Sequence, residues 1–142
     1  AASRVLQASL PTTLVPLDVT NKVKADHATV KAWAAESRDP LARFVVDATG
    51  CAFDFAEKVE GHGELYFHDP LAVLAAMDPT LFTFEPMHVA VETAGRVGRG
   101  MTIADRRALK PEHKSRPNVR VAMDVDVARA TAVIRNRLCP KS

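Results

Sequence analysis

Apolar positions along the chain fall into two rhythms. Leu41, Phe44, Val45, Ala48, Ala52, Phe55 and Val59 recur at helical spacing. That pattern predicts a helix of about five turns with one face towards a core. Gly50 weakens this helix without ending it. Val5, Leu6 and Leu10 suggest a short amphipathic helix closed by Pro11. Asp26 is placed to cap a helix carrying Val30, Trp33 and Ala34, which Ser37 to Pro40 breaks. Val127, Ala130, Val133, Ile134 and Leu138 predict a last helix over 127–138.

The second rhythm is that of strands. Thr12 to Leu17 is β-branched and apolar between polar residues, and reads as a buried strand followed by the polar loop Asp18-Val19-Thr20-Asn21. Leu65 to Phe67, Phe82 to Phe84, Met87 to Glu92 and Met101 to Ala104 are further strand candidates. Gly95, Gly98 and Gly100 mark turns between them. In 119–125, Val119, Val121, Met123 and Val125 alternate on one face, and 110–117 reads as a polar surface loop. Helices alternating with apolar strands predict an α/β fold built on an open, mainly parallel sheet flanked by helices.

Composition narrows the picture without redirecting it. A chain of 142 residues with 47% hydrophobic and 25% charged residues is an ordinary globular domain. A net charge of +2 gives no footprint for nucleic acid, and the basic cluster Arg96, Arg99, Arg106, Arg107 and Lys110 lacks interleaved aromatics. No apolar run reaches the roughly 18 residues of a membrane span. Cys51 and Cys139 fit no metal spacing and read as reduced thiols of a cytoplasmic protein, with a disulfide between them as the alternative. The opening Ala1-Ala2-Ser3-Arg4-Val5-Leu6 reads as the middle of a helix, as expected of a fragment or a processed chain.

One junction concentrates candidate chemistry: Tyr66-Phe67-His68-Asp69-Pro70-Leu71. Pro70 suits the first position of a helix, which would make Asp69 its N-cap and set His68 at the lip of the same turn. Strand-end corners of this kind are where α/β proteins place polar chemistry. Asp39-Pro40 has the same form, so the local pattern alone describes a capped helix as well as a site.

The order of several motifs carries a family resemblance. Thr13-Leu14-Val15-Pro16-Leu17-Asp18-Val19-Thr20, then Phe67-His68-Asp69-Pro70-Leu71-Ala72-Val73, then Asp78-Pro79-Thr80-Leu81-Phe82, Val89-Ala90-Val91-Glu92, Arg99-Gly100-Met101-Thr102 and Asp105-Arg106 follow one another. Together they resemble the inosine–uridine-type nucleoside hydrolases over nearly the whole chain. The resemblance implies a calcium-dependent N-ribohydrolase acting on a nucleoside substrate, with a homodimer or homotetramer as the assembly. It implies that Asp69 is a calcium ligand close to the ribose hydroxyls, and that His68 faces the leaving base as general acid. A hard cation suits carboxylate oxygen, and a proton donor that titrates near neutrality suits a departing base. Tyr66 reads as a half-buried aromatic, or as a residue that would reach the base from a segment loosened by Gly61 and Gly63.

Departures from the family pattern sharpen the expectation. The aspartate-rich metal motif and the Glu-x-Asn ribose motif of the family are absent from these residues. The chain therefore reads as the C-terminal part of a nucleoside hydrolase domain, 1–142, whose partner is the missing N-terminal half. Alone it is expected to be inactive; the alternative is a non-catalytic remnant or interaction module that keeps the fold. Where family members that prefer purines carry Tyr or Arg, this helix offers Phe53, Phe55 and Glu60. Asp18 and Thr20 read as structural turn residues. His27, His62, His88 and His113 read as surface or packing residues, and Asp124 and Asp126 as solvent-facing.

Overall fold

The computed structural model describes residues 1–107, 113 and 115–141. The elements run α1 (Ala2–Gln7), β1 (Thr13–Leu14), α2 (Leu17–Thr20), β2 (Lys24–Asp26), α3 (His27–Ala35), α4 (Pro40–Phe55) and a π-helical turn (Ala56–Glu60). They continue with β3 (Glu64–Tyr66), α5 (His68–Met77), a 3₁₀ turn (Pro79–Leu81), β4 (Phe82–Met87), β5 (Val89–Val91), β6 (Thr102–Ala104), β7 (Val119–Val125) and α6 (Val127–Leu138). The α/β class holds. The sheet, however, is mixed rather than mainly parallel among the described residues. β7 is central, parallel to β1 and antiparallel to β4, while β2–β3 and β5–β6 are separate antiparallel pairs. The connection from β4 to β7 carries the β5–β6 pair and, among the described residues, no crossover helix, so β7 returns antiparallel beside β4.

Two cores sandwich the central sheet. On one side Val19, Val23, Leu71, Leu74, Ala75, Ala130 and Ile134 pack α2, α5 and α6 against Phe82, Ala122 and Val125. On the other, Leu6 of α1 closes over Met87, Val89, Val119 and Val121. The expected single face of β7 is thus divided. Phe84 pairs with Ala122 and Thr83 with Asp124, so Met123 is an extra residue in the ladder. A bulge of one residue reverses the alternation, and Val125 turns to the opposite side from Val119 and Val121. A third core joins Val30, Trp33, Val45, Val46 and Phe53 of α3 and α4 to Ala25 and Leu65 of the β2–β3 pair.

Other expectations shift at the element ends. The strand expected over 12–17 is only Thr13–Leu14, exposed to half-buried. Pro16 has no N–H to continue a ladder, and its carbonyl instead accepts from Val19 and Thr20, so the expected polar loop is the helical turn α2. The long helix over 41–59 is present, with Asp39 accepting from Leu41 N at its start, but its last turn is π-helical. Most of its expected core stripe faces out, Phe44, Phe55 and Val59 being 65%, 54% and 67% exposed, while Val45 of that stripe does pack. Ala42, Val46, Phe53 and Ala56 are the side that packs. Of the polar loop expected at 110–117, residues 110–112 and 114, with Lys110 of the basic cluster, lie outside the described residues. Cys51 and Cys139 are both free thiols. No described helix is long and apolar enough to cross a membrane.

Candidate active site

Strand pairing delivers the site residues. β3 lies antiparallel to β2, with Tyr66 opposite Lys24, and Phe67 N extends the ladder to Val23 O at 2.9 Å. Alternation along an extended chain then sends Leu65 and Phe67 inward and Glu64, Tyr66 and His68 to the other face. The result is an aromatic row. The rings of Tyr66 and His68 stack with centroids 5.6 Å apart and planes inclined by 14°, and His62 meets Tyr66 edge-on at 5.7 Å. Lys24 lies 5.7 Å from the Tyr66 centroid and binds Glu64 at 2.6 Å, a bond that raises its ammonium above the ordinary lysine value.

His68 is held from a second direction. Its Nδ1 lies 2.7 Å from Thr20 Oγ1, 48 residues away in sequence at the end of α2. Thr20 is 2% exposed. No bond of His68 Nε2 is found among the described residues. Because His27 Nε2 is the one buried side-chain nitrogen or oxygen there without a partner, His68 Nε2 reaches solvent.

Asp69 is adjacent but differently placed from the expectation. Helix α5 begins at His68 with Phe67 as N-cap, so Asp69 is its second residue and not its cap. The first ladder bond runs from Leu71 N to Phe67 O at 3.0 Å. Pro70 therefore fills the third helical position, whose N–H has no acceptor in the helix, and the helix begins two residues earlier than the pattern suggests. The Asp69 carboxylate is exposed, has no hydrogen-bond partner among the described residues, and gains from the helix N-terminus.

These residues do not by themselves fit a calcium ion. Calcium takes six to eight oxygens. Among the described residues no three His, Cys, Asp or Glu side chains come together as a possible metal site. Asp69 offers one free carboxylate. A cavity of about 270 Å³ between β4 and the segment after β6 is lined by Glu85, His88, Asp105 and Arg107, and none of His68, Tyr66 or Asp69 borders it.

Of the remaining candidates, Phe53 is buried and stacks on His27 at 4.7 Å, so it is occupied away from the aromatic row. Glu60 contacts His62 Nε2 at 3.0 Å, while Phe55 is open. Asp124 pairs with Lys22 at 2.8 Å, and Asp126 caps α6 by accepting from Arg129 N. Thr20 is the site residue that sequence reasoning missed. Its only sequence signal is a hydroxyl within the motif shared with the family.

The family model described as inosine-uridine preferring nucleoside hydrolase matches residues 1–132. The chain belongs to that family. A pyrimidine-specific ribonucleoside hydrolase of Enterobacter sp. (strain 638) is 33% identical over 128 residues, covering 89% of this chain and 39% of the relative. Among solved structures, the purine-preferring ribonucleoside hydrolase from Gardnerella vaginalis superposes with a TM-score of 0.78 at 30% identity, over 97% of this chain and 42% of that one. A plant nucleoside hydrolase gives 0.83 at 21% identity, which shows the shared fold. The chain thus spans about two-fifths of the length of the relatives it matches. His68, Tyr66 and Asp69 lie inside the matched span, as do both cores of the central sheet apart from Ile134.

Proposed function

We propose that the whole protein hydrolyses the N-glycosidic bond of ribonucleosides, giving ribose and a free nucleobase, and that His68 supplies the proton to the leaving base. The observation that carries this reading is the His68 imidazole itself: stacked on Tyr66, tethered to Thr20, with its second nitrogen open to solvent. Membership of a ribonucleoside hydrolase family supports it. As the bond between C1′ and the base nitrogen breaks, its electron pair leaves with the base. The base nitrogen takes the His68 proton, water adds its oxygen to C1′, and the proton that water releases returns through solvent to His68. A donor poised in this way contributes roughly 10²–10⁴ in rate. Tyr66 would border the base while keeping the imidazole plane fixed.

In the same reading Asp69 is one ligand of a calcium ion, and the other oxygens come from outside the described residues. A bound cation of this kind would favour ionised oxygen near the ribose. The whole protein is taken as a cytosolic homodimer or homotetramer, on the resemblance alone.

The test compares two proteins. The purified 142-residue chain is expected to bind calcium weakly in calorimetric titration and to release no ribose from inosine or uridine. The whole protein is expected to do both, and Asp69→Asn in it to lower calcium affinity at least roughly ten-fold, as loss of one charged ligand from an oxygen site should. A whole protein that releases no ribose would favour the non-catalytic remnant. Ribose release by the 142-residue chain at the rate of the whole protein would overturn the divided site.

A further inference from the structure

We infer that Thr20 is a positioning residue for proton transfer, holding His68 by Nδ1 so that Nε2 is the nitrogen presented to the departing base. The inference rests on the proposed role of His68 as proton donor. Three observations carry it. The Thr20 hydroxyl lies 2.7 Å from Nδ1 and has no other partner among the described residues. It is 2% exposed, so water does not compete for it. Nε2 has no partner among the described residues and reaches solvent.

A hydroxyl suits this place because it donates and accepts. It accepts from Nδ1–H while the ring carries both protons. When the proton leaves Nε2 for the base nitrogen, the neutral ring keeps Nδ1–H on Thr20 Oγ1. When the neutral ring instead carries its proton on Nε2, the hydroxyl turns and donates to Nδ1. The tether therefore persists whichever form the ring takes. A carboxylate could only accept, and valine could do neither. Thr20 is itself rigid. Its N–H bonds Pro16 O at 3.0 Å, its carbonyl accepts from Val23 N at 3.2 Å, and Val19 and Val23 are fully buried. A β-branched side chain there has little rotamer freedom. Tyr66 fixes the plane of the ring and Thr20 fixes its rotation within that plane, so the direction of Nε2 is determined.

The test uses the whole protein with Thr20→Val and Thr20→Ser, assayed on inosine and on 4-nitrophenyl riboside, whose leaving group departs without a proton. Thr20→Val is expected to lower kcat on inosine about ten-fold, the equivalent of one lost hydrogen bond. KM, and turnover of the nitrophenyl substrate, should be unchanged, and Thr20→Ser should restore kcat. Equal losses on both substrates, or no loss on inosine, would overturn the positioning role. Should Thr20→Val not fold, the ¹⁵N signal of His68 Nδ1 in the wild type and in Thr20→Ser decides the matter: a hydrogen-bonded shift in both is expected, and a free Nδ1 overturns the tether. An inactive wild type, or a His68→Ala variant with full activity on inosine, would instead remove the parent reading.

Discussion

At the scale of single residues, the informative contacts join side chains far apart in sequence. Thr20 and His68 are 48 residues apart, and nothing in the spacing of either predicts their bond. Tyr66 and His68 are near neighbours, at the end of β3 and the start of α5, yet their pairing was not legible in the sequence, because their stack depends on the turn at Phe67. Two carboxylates are local in the same way: Asp26, a cap readable from its position before Val30, and Asp105, bound by Arg107 two residues on. Asp105 takes two side-chain bonds of 2.8 Å from Arg107, and these hold its carboxyl at about 2, against an ordinary 3.8. A carboxyl depressed in the folded state stabilises above its unfolded value, and that contribution is lost as pH falls through the folded one. The stability difference between wild type and Asp105→Asn is therefore expected to be constant near neutrality and to shrink between about pH 4 and pH 2. Urea midpoints across that range check it; a difference that does not change with pH contradicts the ion pair as its source.

At the scale of elements, helices were more legible than strands. The helix over 40–55 followed from apolar periodicity, yet its packed side did not. Two apolar stripes run along it, and contacts with α3 and β3 select Val45, Val46 and Phe53 rather than Phe44 and Phe55. Periodicity counts apolar residues and cannot say which stripe meets a neighbour. β7 failed for a subtler reason, since one bulged residue reverses every side chain beyond it. The glycines of this region offer a paired test. Gly50 is mid-helix and a Cβ there would meet nothing within 4 Å, whereas Gly61 ends the π-helical turn at φ +79°. Gly50→Ala is expected to stabilise by about 0.5–1 kcal/mol through a less flexible unfolded chain. Gly61→Ala should destabilise by about 1–2 kcal/mol because an L side chain resists the left-handed region. Unfolding midpoints of the two variants check this, and shifts of the same sign would contradict it.

At the scale of the molecule, the chain folds two cores around a mixed sheet and presents His68 and Asp69 side by side at one corner. The α/β class and the order of motifs were legible because both are written locally. The sheet's mixed direction was not, because pairing partners are chosen at long range. A metal site is not assembled among the described residues: no three metal-ligating side chains come together, and the one carboxylate at this corner, Asp69, cannot alone hold a cation that takes six to eight oxygens. The central claim is that His68 protonates the leaving base. The measurement that tests it most directly is the turnover of His68→Ala in the whole protein on inosine and on 4-nitrophenyl riboside, side by side. The account predicts a loss of roughly 10²–10⁴ on inosine with the nitrophenyl substrate nearly unaffected. Unchanged turnover of inosine would contradict it.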